Sequence, residues 1–179
     1  MIAFASDIDT LFSSFKENTK LQFTQKTFLK EMNQWQEFKG SVCLGKNVIT
    51  LVYNEPYKQE IFLKEDGIYI YSPEENQIII TDVKDNKFLN RILKLLAGTD
   101  VKESFKTKQI SKNTVEIIPE NQSIKRILII LKDKKIQQIK AEDIDGNKFI
   151  IEINKVSSCQ PDQFKLPSKA EIIDYRGNR

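Results

Sequence analysis

Apolar and polar residues alternate along most of this chain, in short runs separated by turn signals. Period-two alternation marks strands, because successive side chains of a strand point to opposite faces. It predicts strands near 20–29, 36–44, 48–54, 58–64, 68–72, 77–83, 102–107, 114–118, 124–132, 135–142, 148–155 and 163–173. Gly45-Lys46-Asn47, Asp66-Gly67, Ser72-Pro73, Asp133-Lys134 and Asp145-Gly146-Asn147 mark turns between them. Links this short join antiparallel neighbours, since parallel strands need a long crossover. Two segments follow a helical period instead. Ile8, Leu11, Phe12 and Phe15 share one helical face, and Ser6 with Asp9 has capping-box spacing. From Asn86 to Ala97, Phe88, Leu89, Ile92, Leu93, Leu95 and Leu96 form a broad apolar face, with Gly98 placed to end the helix. No repeat, low-complexity tract or dividing linker is visible, so a single domain is expected.

Several strands are apolar on both faces. Ile49, Leu51 and Tyr53 share one face of their strand, with Val48 and Val52 on the other; Ile127 to Leu131 and Phe149 to Ile151 behave likewise. A sheet with one wet face alternates more cleanly. Two arrangements satisfy this pattern: a curved sheet filled by the two helices, or sheet and helices enclosing an apolar cavity.

The charge balance is nearly even, 28 basic against 25 acidic residues, and carries no nucleic-acid motif. No apolar run approaches the length of a membrane-spanning helix. Histidine is absent, which removes Ser-His-Asp and Cys-His chemistry and the commonest transition-metal ligand. Cys43 and Cys159 form no CxxC or zinc pattern. Asp143-Ile144-Asp145-Gly146-Asn147 has the look of a calcium loop but lacks its later Glu, and reads as a hairpin turn. No nucleophile elbow, phosphate loop or metalloprotease motif occurs, so no catalytic residue, metal or cofactor is expected and the chain reads as a non-enzyme. Ala3-Phe4-Ala5 before Ser6 resembles the small-x-small end of an export signal, without the regions that normally precede it; an ordinary apolar N-terminus fits equally.

Four segments, in order, resemble the outer-membrane lipoprotein carrier (LolA) family. Phe23-Thr24-Gln25 follows the first predicted helix, and Gly40-Ser41-Val42 leads through a hairpin to Asn54-Glu55-Pro56. Asp66-Gly67 and Tyr69-Ile70-Tyr71-Ser72-Pro73 come next. Asp143 to Asn147 then precedes a strand, and Phe164-Lys165-Leu166-Pro167 through Asp174 closes the chain. The likeness spans roughly residues 7–175. It implies a mostly β fold with some α: an unclosed antiparallel β-barrel of about eleven strands, with a helical lid over an apolar cavity. It implies a periplasmic carrier that takes triacylated lipoprotein N-termini from an inner-membrane ABC transporter to an outer-membrane receptor. The receptor shares this fold but is lipidated on an N-terminal Cys; no Cys precedes Cys43, which favours the soluble carrier. A binding protein of the same fold for free lipid or another apolar ligand is the alternative.

On that footing residues 1–5 read as an export-signal remnant and 6–179 as one carrier domain, expected to be monomeric. The inward phase of the predicted strands selects Phe23, Val42, Leu44, Leu51, Tyr53, Ile61, Leu63, Phe149, Ile151 and Ile153 as cavity wall, faced by Leu93 and Leu96 of the second helix. Where the family carries an Arg that latches the lid, this chain offers Lys46, a point charge without the planar fork. Export would permit a Cys43–Cys159 disulfide, but the resemblance supplies no matching pair, and bonded and free forms both stay open.

Overall fold

The computed structural model describes residues 15–83, 105–119, 124–133, 135–161 and 166–177. They form twelve strands: β1 (Thr19–Leu29), β2 (Gln34–Leu44), β3 (Ile49–Glu55), β4 (Gln59–Lys64), β5 (Gly67–Ser72), β6 (Gln77–Thr81), β7 (Phe105–Ser111), β8 (Thr114–Pro119), β9 (Ile124–Lys132), β10 (Lys135–Asp143), β11 (Lys148–Ser158) and β12 (Glu171–Asp174). All lie in one sheet, ordered β12-β6-β5-β4-β3-β2-β1-β11-β10-β9-β8-β7. Two meanders, β1 to β6 and β7 to β11, are joined where β1 pairs with β11, Thr24 opposite Glu152 and Gln25 opposite Ile151. The terminal strands of the order, β12 and β7, do not pair with each other, so the sheet is unclosed.

Period-two alternation places nearly every strand within a few residues. Two expectations need correction. The strand expected at 102–107 begins at Phe105 and runs to Ser111. The long closing strand expected at 163–173 is only Glu171–Asp174, and it pairs parallel with β6 rather than antiparallel. Its parallel partner is reached through the whole intervening chain, so no short turn announced it. The predicted helices around 8–15 and 86–97 lie outside the described residues except for Phe15, and no α-helix occurs among those described. The expected helical lid therefore has no support there. No helix among the described residues is long and apolar enough to cross a membrane.

Alternation sorts the apolar side chains onto two faces. The inner face carries a continuous cluster that includes Leu21, Phe23, Val42, Leu51, Ile61, Ile117, Ile127, Ile129, Ile139 and Ile153, and Phe15 joins it. Each such side chain withdrawn from water contributes about 1.5–3 kcal/mol, which makes this cluster the main source of stability. The outer face has a smaller cluster of Val48, Phe62, Tyr69, Ile78 and Ile80. Leu166 and Ala170 pack against it. This accounts for Val48 and for the outer apolar residues of β4, β5 and β6: the C-terminal segment packs against their cluster. Neither a helical filling nor a cavity is needed on that side.

Backbone and side-chain bonds hold the C-terminal segment in place. Glu171 N donates to Asn76 O (2.9 Å) and Tyr175 N to Ile80 O (2.9 Å). Arg176 Nη2 donates to Asp174 Oδ2 (2.7 Å), while its Nη1 reaches the Asp66 carbonyl (3.2 Å) and Tyr69 Oη (3.3 Å) in the β4–β5 hairpin. Tyr69 Oη donates to Asp66 Oδ2 at 2.5 Å. That hydrogen bond is the largest cause holding the Asp66 carboxyl below its ordinary pKa, with Lys64 and Arg176 nearby acting in the same direction. The folded pKa is depressed. Its stabilising contribution is therefore present above the ordinary carboxyl range near 3.8 and disappears as pH falls through the lower folded value. The protection of the β12 amides, taken relative to the intrinsic exchange rate at each pH, should fall below about pH 4 in the native protein. In Asp66→Asn exchange should already be fast at neutral pH and should lack this acid step. An acid step of equal size in Asp66→Asn would refute the assignment.

A disulfide joins Cys43 to Cys159, 116 residues apart, with Cα atoms 6.1 Å apart. It follows from the register. Cys43 sits opposite Lys20 on β1, and Thr19 lies opposite Ser158 on the other side of β1. The bond thus bridges β2 to the end of β11 across the start of β1. The backbone reinforces it, with Asn18 N donating to Leu44 O and Cys159 N to Asn18 O.

Candidate functional site

All ten wall residues predicted on strands meet on the inner face. Phe23, Val42, Leu44, Leu51, Ile61, Leu63 and Ile153 are buried members of the main cluster, and Tyr53, Phe149 and Ile151 pack against it half-buried. Leu93 and Leu96 lie outside the described residues. The apolar inner face extends beyond these ten. Val115, Ile117, Ile127, Ile129, Ile139 and Ala141 extend the same surface across β8, β9 and β10. Their phase follows from the pairing of Ala141 with Ile127 and Phe149, a register that sequence alternation alone does not supply.

Gly40 shapes the centre of this surface. A Cβ there would sit 2.3 Å from the Val52 carbonyl oxygen and 3.0 Å from Phe23 Cζ, so no side chain fits. Phe23 and Tyr53, cross-strand neighbours of Gly40, instead meet edge to face across it, ring centroids 5.8 Å apart. Phe38 adds a third ring, 5.8 Å from Tyr53. Such edge-to-face pairs add about 0.5–1.5 kcal/mol beyond the area they bury.

A polar chain is set into the apolar wall. Tyr53 Oη donates to Gln25 Oε1 (3.0 Å), and Gln25 Nε2 donates to Thr27 Oγ1 (3.1 Å). Thr27, 6% exposed, is the buried polar side chain among the described residues. Burial pushes the Tyr53 phenol up to about 12, and the neighbouring Tyr57 adds to the shift. The hydroxyl therefore stays protonated at any physiological pH and acts as a fixed donor. Gln25 and Thr27 are missing from the predicted wall because a polar residue in the inward phase reads as a break in alternation. Gln25 does belong to the Phe23-Thr24-Gln25 segment, the one signal that pointed to it.

Lys46 lies exposed in the turn between β2 and β3, with no ion pair among the described residues. The Asp143–Asn147 segment is the hairpin turn the sequence predicts. Asp143 accepts from Asn147 N and Asn147 Nδ2, both at 2.8 Å, and Gly146 takes φ 87°. Its carboxylate is thereby used within the turn. Among the described residues no cluster of three or more potential metal ligands occurs.

Solved structures share this fold. A LolA superfamily protein from Nitrosomonas europaea superposes with a TM-score of 0.56 at 13% identity, over 94% of this chain and 97% of the other. An uncharacterized conserved protein from Thermus thermophilus does so equally well, at 0.56 and 10% identity, over 95% and 98%. At these identities the likeness concerns the fold. In sequence, a Campylobacter jejuni protein named outer-membrane lipoprotein carrier protein is 28% identical over 171 residues, 93% of this chain and 89% of its own. Residues 16–167 match the family model described as outer membrane lipoprotein carrier protein LolA, and by that match, which takes in every wall strand described above, the chain belongs to the LolA family.

Proposed function

We propose that this protein is a periplasmic carrier that shelters the acyl chains of lipoproteins and moves them from an inner-membrane ABC transporter to an outer-membrane receptor. The carrying observation is the inner face: an apolar surface that extends from β5 to β8, on a sheet that stays open at its ends. Acyl chains exposed to water cost about 0.8 kcal/mol per CH2, and a broad apolar wall removes that cost without directional bonds that would hinder release. Family membership and the name of the Campylobacter jejuni relative support the same reading. The Cys43–Cys159 disulfide suits an oxidising compartment such as the periplasm.

Lys46 at the β2–β3 turn remains a candidate polar contact for a bound cargo or partner, weaker than an Arg because a single ammonium lacks the planar fork. The deciding experiment incubates the protein with inner-membrane vesicles carrying a triacylated lipoprotein. Release of that lipoprotein as a soluble complex is expected. Copurification of free lipid, with no capture of lipoprotein, would transfer the function to a carrier of free lipids.

A further inference from the structure

The polar chain on the inner wall has more hydrogen-bond donors than it uses. A glutamine amide nitrogen carries two hydrogens and a threonine hydroxyl one. One Gln25 hydrogen goes to Thr27 Oγ1, and the Gln25 carbonyl is occupied by Tyr53 Oη. The second amide hydrogen of Gln25 and the hydroxyl hydrogen of Thr27 have no side-chain acceptor among the described residues. Both sit on the central strand β1. Gln25 lies opposite Ile151 and Phe38, and Thr27 opposite Phe149 and Gln36. Thr27 is buried, and a donor held among apolar side chains is costly unless paired, so packing alone would favour Val there.

Along the paired inner positions of β1 and β2, polarity falls from Thr27 and Gln36 to Leu21 and Val42. From the β1–β2 hairpin inward, β2 presents Gln34, Gln36, Phe38, Gly40, Val42 and Leu44 in register with Leu29, Thr27, Gln25, Phe23, Leu21 and Thr19 of β1. Beyond Gln25 towards the β2–β3 turn, the wall side chains Phe23, Leu21, Val42, Leu44, Ile49 and Leu51 are all apolar and buried. A ligand matched to this gradient has apolar tails at the β2–β3 end and a hydrogen-bond acceptor where the tails begin.

We propose that Gln25 and Thr27, with Tyr53 fixing the Gln25 carbonyl, form a hydrogen-bonding station for the carbonyl oxygens of the ester or amide linkages that join acyl chains to a polar head. This rests on the carrier reading and adds an orientation to it: tails towards the β2–β3 turn, linkage at Gln25 and Thr27, head towards the β1–β2 hairpin. The station distinguishes an acylated head from a bare hydrocarbon, which the apolar wall cannot do.

The test measures binding of three ligands to the full chain by titration calorimetry: a diacylglyceryl-cysteine peptide, its dialkyl ether counterpart with the same tails but no ester carbonyls, and an N-palmitoyl peptide carrying only the amide. The native protein should prefer the diester to the diether by roughly tenfold, the worth of one or two net hydrogen bonds. Gln25→Leu with Thr27→Val should bind diester and diether alike. Whichever of the diester and the N-palmitoyl peptide loses affinity in that variant identifies the linkage recognised. Thr27→Val alone is close to isosteric and carries the test if the double variant does not fold. Equal binding of diester and diether by the native protein, or a preference that survives both substitutions, overturns the station and leaves the carrier standing. If the native protein binds none of the three ligands, the carrier reading fails and the station with it.

Discussion

Ile151→Glu leaves the protein folded and abolishes its binding of acyl ligands. Ile151 lies on β11 between Gln25 of β1 and Ile139 of β10, half-buried on the inner face. A glutamate at a half-buried position keeps contact with water when the wall is empty, so the folded state loses little. Acyl chains laid against the wall would strip that water away and leave an unpaired charge in hydrocarbon, which binding cannot tolerate. Ile129→Glu is the control. Ile129 is 0% exposed on the same face, its charge has no route to water, and the domain should unfold outright. Melting by circular dichroism and titration with an apolar fluorescent probe separate the two. The expected pattern is a small drop in thermal midpoint with at least a roughly tenfold loss of probe affinity for Ile151→Glu, and no cooperative melt for Ile129→Glu. Unfolding of both variants would mean that the wall at Ile151 is closed core, and the carrier surface would lose its centre.

Removing the disulfide by Cys43→Ser with Cys159→Ser lowers stability by about 5 kcal/mol, the chain-entropy value for a loop of this length. The closed loop spans 116 residues and contains all of β3 to β11, so the reduced unfolded chain gains nearly the freedom of the whole protein. Many domains have total stabilities of about 5–15 kcal/mol, which makes the bond a large share of what holds this sheet. Urea denaturation of native and doubly substituted protein measures the difference directly. A shift in midpoint of only a few tenths molar would show that the β1–β11 pairing holds the ends together without it.

How much of this was readable in advance differs from strand to strand. β9 falls at 124–132, as alternation predicts, because Asp133-Lys134 ends it sharply and its neighbours pair antiparallel through short turns. Which side chains share the inner face was recoverable because period two fixes the face once a strand is placed. What covers a face is a different question. Val48 is apolar on the outer side, and its pattern could not say that Leu166 and Ala170, more than a hundred residues later, pack on that cluster. Pairing of Cys43 with Cys159 likewise depends on β1 lying between β2 and β11, a contact between distant segments. The Gln25–Thr27 station was hidden for the opposite reason: its function lies in departing from the pattern by which the wall is recognised.

The strand order also sets a timetable for synthesis. Each meander needs only its immediate neighbours, but β1 acquires its second partner when β11 appears, with Asn154 Nδ2 bonded to Thr24 Oγ1 across 130 residues of chain. Contacts that distant form late, after loop closure over almost the entire polypeptide. Until β11 has left the ribosome, β1 keeps a bare edge and the inner surface has only half its strands. Completion falls to the last strands to emerge, and the cysteine that follows β11 arrives in time to secure them.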